Sequence, residues 1–382
     1  MNIQTVDTLP SWVLDAPLSC DAPVAQDCAA EGDRERQVRD RAIKAIADAG
    51  LFSVHIPKKF GGMELAAADY YDVVEELSYA DGSTGWSLMA VASATLGASR
   101  NLGPSAIKEM FEDGRIVNIG GHVSALGKAK IVDGGYMVSG SYSFGSGSRY
   151  ATWFLAAFAV EKDGEPVLQA NDKPMVIVGI LPRKGVRLLG NWDVMGLSGT
   201  GTYDFEITEQ FMPQDFTADL DLIVSAPIGH RAWCMGVARR ALDEIKKLAQ
   251  SKRRFGRSTT IDQPLFQHRF SQHYAAVEAA RGLIRKTTAE WEEAIALGKL
   301  DLETRARGHL AQCWATHVTC AATDFAYHAS RSNGIRNYGG ENVIQRCFRD
   351  IHAGTQHRQI DDNVMIDCAT VLLDVPNPDV RL

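Results

Sequence analysis

The stretch from Val117 to Thr202 constrains the fold more than any other part of this chain. It contains GGYMVSGSYSFGSGSRYATWFLAAF, Gly134 to Phe158, and leads into GNWDVMGLSGTGTYDFEI, Gly190 to Ile207. Short alternating runs bounded by turn dipeptides mark it as β structure, while the sequence on either side has helical periodicity. Lys128 to Val132, Tyr136 to Ser139, Trp153 to Val160, Met175 to Pro182 and Thr202 to Ile207 are the β-prone runs. Asp133-Gly134-Gly135 between the first two is a hairpin signal. About six to eight strands in an antiparallel barrel or sandwich are expected. A small β-domain between two helical ones places a site at their junction.

The flanks set the order. Residues 1–30 carry no clear period, and Pro10, Pro17 and Pro23 argue against a long helix there. One helix is expected from Glu31 to Gly50, with Ile43, Ile46 and Leu51 on one face. HIPKKFGGMEL, His55 to Leu65, is a turn-rich connector, and YYDVVEEL, Tyr70 to Leu77, is helical. Asp81 or Ser83 caps the next helix, whose small residues in SLMAVASATLGA suit a pocket wall. A further helix runs from Pro104 to Asp113. Beyond the β-rich stretch, His230 to Gln250, Gln267 to Leu297 and Asp301 to Ser330 are long amphipathic helices. Asn333 to Gly340 is a break, and a last helix covers Asn342 to Ile351 and resumes after Gly354. Long amphipathic helices with short connections form a four-helix bundle. The expected fold class is therefore α+β, mostly α: an N-terminal helical domain over 1–115, a central antiparallel β-barrel or sandwich over 116–215, and a C-terminal four-helix bundle over 216–382.

Composition narrows the function. At 382 residues, 45% hydrophobic and 23% charged, the chain can bury a sizeable core. A net charge of −7 argues against a nucleic-acid partner. The seven cysteines form no metal-type spacing and fit reduced thiols of the cytoplasm. No secretory leader is visible at the N-terminus, and no apolar run approaches the ~20 residues a membrane span requires.

Four local sequences, in this order, resemble the acyl-CoA dehydrogenase superfold. They are AGLFSVHIPKKFGG (Ala49 to Gly62), WDVMGLSGTGTYDF (Trp192 to Phe205), RRFG (Arg253 to Gly256) and CFRDIHAGT (Cys347 to Thr355). A narrower resemblance is to the group D two-component flavin-dependent monooxygenases, oxygenase components that receive reduced flavin from a separate reductase. ADGSTGW (Ala80 to Trp86), the GGY…VSG…YSFGSG…ATW run (Gly134 to Trp153) and RDIHAGTQH (Arg349 to His357) carry it.

Chemistry separates the two. A dehydrogenase must remove an α-proton from an acyl thioester with a positioned carboxylate. The two places where the family carries that base read Ala353-Gly354-Thr355 and Gly229-His230-Arg231 here, with Asp361 and Asp362 as the only near substitutes. A monooxygenase must instead keep water from an oxygen-activated flavin and offer a hydrogen bond near its N5. By residue type alone Ser146 is a turn residue among glycines. The resemblance implies that its hydroxyl lies near N5, with Gly145 and Gly147 allowing close backbone approach. The resemblance also places His357 on the C4a side of the flavin, where it deprotonates or orients substrate; His122, which follows an expected strand near the flavin edge, is a further candidate catalytic and substrate contact.

For the cofactor, Ser146, Gly147, Trp192, Ser198, Thr200, Lys252, Arg254 and Phe255 are the expected contacts, with Gly199 adding backbone. Lys252 to Arg254 is equally a cationic helix end. For the substrate, Trp86, Ser93, His122, Trp233 and His357 are expected walls, with Met89 and Leu96 beside them, each also a plausible core residue. The expectation is a cytoplasmic, homotetrameric oxygenase that uses O2 and reduced FAD or FMN, FAD slightly favoured. A flavin reductase and a phenol- or indole-type aromatic substrate are its partners, and no metal is expected. An acyl-CoA dehydrogenase or oxidase with a displaced base, and a catalytically silent flavin-fold binding subunit, are the alternatives.

Overall fold

The computed structural model describes residues 18–112, 117–169, 172–219, 228–253, 258–377, 380 and 382, with backbone alone at 18–21, 124–126 and 228. Pro10, Pro17, Asp113, Ile116, Pro227, Arg254 and Phe255 lie outside the described residues.

The N-terminal region departs from the expected single helix. Helix α1 runs Leu18–Glu35 with Pro23 inside it, and α2 runs Asp40–Asp48. Pro23 is the sixth residue of α1, and it removes the ladder bond that an N–H there would give the Ser19 carbonyl. Burial of Ala25, Cys28 and Ala29 offsets that loss. The chain breaks between α1 and α2 at Arg36, whose φ is 57°. The connector after α2 contains a short 3-10 turn at Lys58–Phe60, which Gly61 closes at φ 80°. Helix α3 (Ala67–Ala80) meets α4 (Gly82–Asn101) at a tight corner. Asp81 caps α4: its carboxylate accepts from the Thr84 N–H at 2.9 Å and from the Thr84 hydroxyl at 2.6 Å. Helix α5 is Pro104–Phe111.

Eight strands follow: β1 (Ile119–Val132), β2 (Gly135–Tyr142), β3 (Trp153–Lys162), β4 (Glu165–Pro166), β5 (Val176–Pro182), β6 (Val186–Leu188), β7 (Phe205–Pro213) and β8 (Thr217–Ala218). They form one sheet in the order β6-β7-β2-β1-β3-β5-β8, with β4 on β3. The β1–β2 hairpin turns at Gly134, φ 74°, as its dipeptide implies. The sheet is mixed rather than wholly antiparallel, because β1 runs parallel to β3. The crossover between β2 and β3 is Ser143 to Thr152, and it carries Ser146 back across the start of β1. There the Gly121 N–H donates to the Ser146 carbonyl at 3.2 Å. The β1–β3 register slips between His122 and Leu126. Such a bulge re-aims side chains beside it, and His122 stands at its edge.

The last region holds α6 (Ile228–Ser251), α7 (Pro264–Ala296), α8 (Leu302–Ser330), the short α9 (Ser332–Ile335), α10 (Val343–Gly354) and α11 (Asp362–Leu372). Asp301, Asn342 and Asp361 cap α8, α10 and α11. Two apolar cores result. One joins α3, α4, α6, α7, α8 and α10 around Trp233, Tyr70 and Leu77. The other lies on the sheet around Phe154, Phe158 and Phe205. Each fully buried ring is worth about 1.5–3 kcal/mol. Among the described residues, no helix is long and apolar enough to cross a membrane.

Candidate active site

A cavity of about 960 Å³ opens between the two cores. Ile119 and Leu155 come from the sheet core, and Tyr70, Trp86, Met89 and Leu197 from the helical one. Its size suits a fused ring system with a small second molecule. Among the described residues no aspartate or glutamate lines it, and Arg358 is its one arginine or lysine.

Five histidines reach the cavity: His55, His122, His230, His352 and His357. Burial, then Arg100, pushes His55 down to about 4. Burial pushes His230 down to about 4 and His357 down to about 3, with His230 the next cause for His357. His122 is lowered by burial and then by Arg358. His352 is held by Asp324 at 2.8 Å. The wall around His55, His122, His230 and His357 is therefore uncharged at neutral pH.

Trp86 is the hub. It meets Trp233, His230 and His357 edge-on at ring separations of 4.9, 5.5 and 5.7 Å, and its Nε1–H donates to Ser146 Oγ at 3.4 Å. The His357 Nδ1 accepts from the Gln359 N–H at 3.4 Å, because His357 caps the 3-10 turn Arg358–Ile360. The neutral ring thus carries its proton on Nε2 and can present it as a donor. The His230 Nε2–H is in turn directed to the Gly354 carbonyl at 3.2 Å.

The opposite wall is the loop from Trp192 to Thr202. The Leu197 carbonyl accepts from Trp192 Nε1 at 3.1 Å and from the Thr200 hydroxyl at 2.8 Å. The Leu197 N–H donates to Asp350 Oδ1 at 2.6 Å. Gly196 passes so close to α10 that a Cβ there would lie 1.9 Å from the Arg349 carbonyl oxygen. Phe144, at φ 61° and exposed, edges onto Trp192 at 6.1 Å and tilts towards His122 at 6.5 Å.

Asp350 yields a pH prediction. Burial, then the Asp81 carboxylate, raises it from 3.8 to about 7. A carboxyl raised on folding adds stability in acid that is lost as pH climbs through its folded value. The buried neutral histidines act in the opposite sense, so the readout is a difference. The unfolding midpoint of Asp350→Asn should gain on the wild type as pH rises from about 5 to 8. A pH-independent difference would overturn this.

The structure brings Ser146, His122, Trp192, Thr200, Trp86, Ser93 and His357 together on the cavity, with Met89 and Leu96. Other expectations are corrected. Trp233 is wholly buried behind Trp86, with Nε1–H donated to the Gly82 carbonyl at 2.8 Å, and is core rather than wall. Ser198 is buried off the cavity, its hydroxyl turned to the Val194 carbonyl at 3.4 Å. Lys252 donates to the Ser330 carbonyl near the end of α8, the helix-end alternative. Gly145 and Gly147 serve internal contacts, since a Cβ would meet Phe205 at 2.8 Å or Val91 at 2.5 Å. Asp361 caps α11 and, like Asp362, is off the cavity, whereas Gly229, His230 and Ala353 line it. Both expected base positions thus face the cavity without a carboxylate.

His55, Tyr70, Phe144, His230 and Arg358 also line the cavity, although no motif in the sequence marks them as site residues; adjacency to His357 is the one local signal for Arg358. Cys320, Asp324 and His352 also bring one ligand-type atom each within 4.8 Å of one another. Burial, then Asp324, pushes the Cys320 thiol up to about 11, and His352 is already engaged by Asp324.

Known proteins agree with this architecture. Models of the acyl-CoA dehydrogenase N-terminal and C-terminal domains match residues 20–111 and 228–362. An indole-3-acetate monooxygenase of Pseudomonas putida is 27% identical, over 87% of this chain and 86% of that one. The flavin-dependent monooxygenase oxygenase subunit HsaA of Mycobacterium tuberculosis is 28% identical, over 88% of each. A crystal structure of the HsaA monooxygenase from M. tuberculosis superposes with a TM-score of 0.84 at 25% identity, covering 97% of this chain and 99% of that one.

Proposed function

The chain belongs to the acyl-CoA dehydrogenase family, and within it we propose that it is the oxygenase component of a two-component flavin monooxygenase. It takes reduced FAD or FMN from a separate flavin reductase and uses O2 to hydroxylate a phenol- or indole-type aromatic. The observation that carries this reading is a large cavity whose described wall holds no carboxylate while both dehydrogenase base positions face into it. The carboxylate base that an acyl-CoA dehydrogenase uses to take the α-proton is absent from both of its positions.

The cavity suits a flavin by size and by its largely apolar wall, with Arg358 the charged side chain on it among the described residues. Trp192, Thr200 and Ser146 would hold the ring, which when bound supplies the oxygen chemistry. The chain supplies the rest. Met89, Leu96, Ile119 and Leu155 exclude water from the reacting atoms. His357 offers an Nε2–H donor that orients a substrate or cofactor oxygen. His122, at the edge of its bulge, contacts the substrate. Lys252, which is off the cavity in its own chain, would contact cofactor only across a subunit boundary, in keeping with a proposed cytoplasmic homotetramer; Arg254 and Phe255 remain proposed cofactor contacts outside the described residues. The proposed domains are 1–115, 116–215 and 216–382.

Stopped-flow mixing of the protein and photoreduced FMN or FAD with oxygenated buffer tests the proposal. Oxidised flavin should appear only after a lag, which a phenol or indole shortens while gaining one oxygen atom. Immediate reoxidation with both flavins, with peroxide equal to flavin consumed, would sink it. Ser146→Ala should raise peroxide released per flavin oxidised several-fold, on the order of one lost hydrogen bond. Unchanged coupling would remove Ser146 from the protecting role.

A further inference from the structure

Among the described residues, Arg358 is the one arginine or lysine on the cavity wall, and no carboxylate lines that wall. It makes no hydrogen bond or ion pair among the described residues, and its side chain is exposed. Most other arginines with functional-looking surroundings are neutralised: Arg349 pairs with Asp33 at 2.8 Å, and Arg239 with Glu75 at 2.7 Å. Arg358 follows directly on His357 in the short 3-10 turn that closes the cavity, so its place is set by the same cap that sets the histidine. Its charge depresses both His122 and His357, so it lies within reach of the two residues proposed to meet the substrate. A guanidinium with no partner among the described residues, at the edge of a mostly apolar cavity, is a fork for an anionic oxygen pair.

We propose that Arg358 anchors a carboxylate on the aromatic substrate, so that the preferred substrate is an aromatic acid rather than a neutral phenol or indole. This rests on the oxygenase reading above. The shared chemistry is an anionic oxygen group, and the flavin's phosphate is the other source of it. Position favours the substrate, because Arg358 sits with His122 and His357. The ring of such an acid would lie against Trp86 and Met89, with its carboxylate towards the mouth.

The test compares indole-3-acetate with indole-3-acetamide, and 4-hydroxyphenylacetate with 4-hydroxyphenylacetamide. Product is measured per reduced flavin, and reduced-flavin affinity is measured separately. Wild-type enzyme should favour the better acid over its amide in kcat/KM by about 10- to 100-fold, the range of one charge-assisted contact. Arg358→Gln should abolish most of that preference, chiefly through KM for the acid, and Arg358→Lys should restore part of it. An equal preference for acid and amide in the wild type would overturn the proposal without any variant. So would an Arg358→Gln enzyme that keeps the preference but binds reduced flavin more weakly, which assigns the arginine to the phosphate. If no aromatic is oxygenated and no lag is seen, the oxygenase reading itself has failed.

Discussion

His357→Ala should lower product formed per reduced flavin by about 100-fold, the scale of one positioned proton donor at a reacting centre. Three observations converge on that residue. It lines the cavity, its ring meets Trp86 edge-on at 5.7 Å, and its Nδ1 is engaged by the Gln359 N–H, which leaves the proton on Nε2. Burial, followed by His230, holds its pKa down to about 3. The imidazole is therefore neutral throughout the range in which an exposed histidine would titrate. The donor role then predicts a rate with no inflection between about pH 6 and 7 arising from this residue. His357→Gln, whose amide nitrogen reaches about as far as Nε2, should recover part of the loss. An inflection in that window that vanishes in His357→Ala would show that the residue acts as a charged acid or a base. A variant with wild-type coupling would remove it from the site altogether. Thermal unfolding serves as the control, because the half-buried ring lies on a cavity wall rather than in either core.

The second large effect concerns stability. Glu75→Ala should lower the unfolding free energy by about 3–5 kcal/mol, the penalty for orphaning buried opposite charges. Glu75 is 1% exposed on α3 and binds Arg239 of α6 at 2.7 Å and Arg281 of α7 at 3.1 Å. It thereby joins three helices of the core behind the cavity. Arg239 retains Glu76 at 2.7 Å, so most of the loss falls on Arg281 and on the desolvated space beneath it. Glu75→Gln should cost less, since the amide oxygen still accepts. Urea unfolding measures both. A loss under about 1 kcal/mol would mean that the cluster is solvated like a surface pair. The flavin lag should survive in the folded fraction, because Glu75 does not touch the cavity.

The residues differ in how far their places could be inferred in advance. Asp81 is the N-cap that its position before STGW implies, and Asp133-Gly134-Gly135 is a hairpin turn, because both depend on local backbone chemistry alone. Pro23 misleads for the same reason. A local rule sees a helix breaker, while packing of Ala25, Cys28 and Ala29 carries α1 through it. The parallel pairing of β1 with β3 is invisible in either strand, since alternation is the same for both directions. Trp86 and Trp233 were equal candidates for the wall. Only the packing of the helices decides that one faces the cavity and the other lies behind it.

The amino-acid order was sufficient for the succession of helices, strands and bundle, for the turns and caps, and for the absence of a carboxylate at both dehydrogenase base positions. These follow from short-range periodicity and from residue identity at known spacings. Tertiary packing decided the rest. It set His122, His230, His357 and Arg358, drawn from a bulged strand, a helix start and a capped turn, around one cavity. It also withdrew water from the three imidazoles, which lowers their pKa values and keeps them neutral. Desolvation depends on what surrounds a side chain in space, and neighbours in space are not neighbours along the chain.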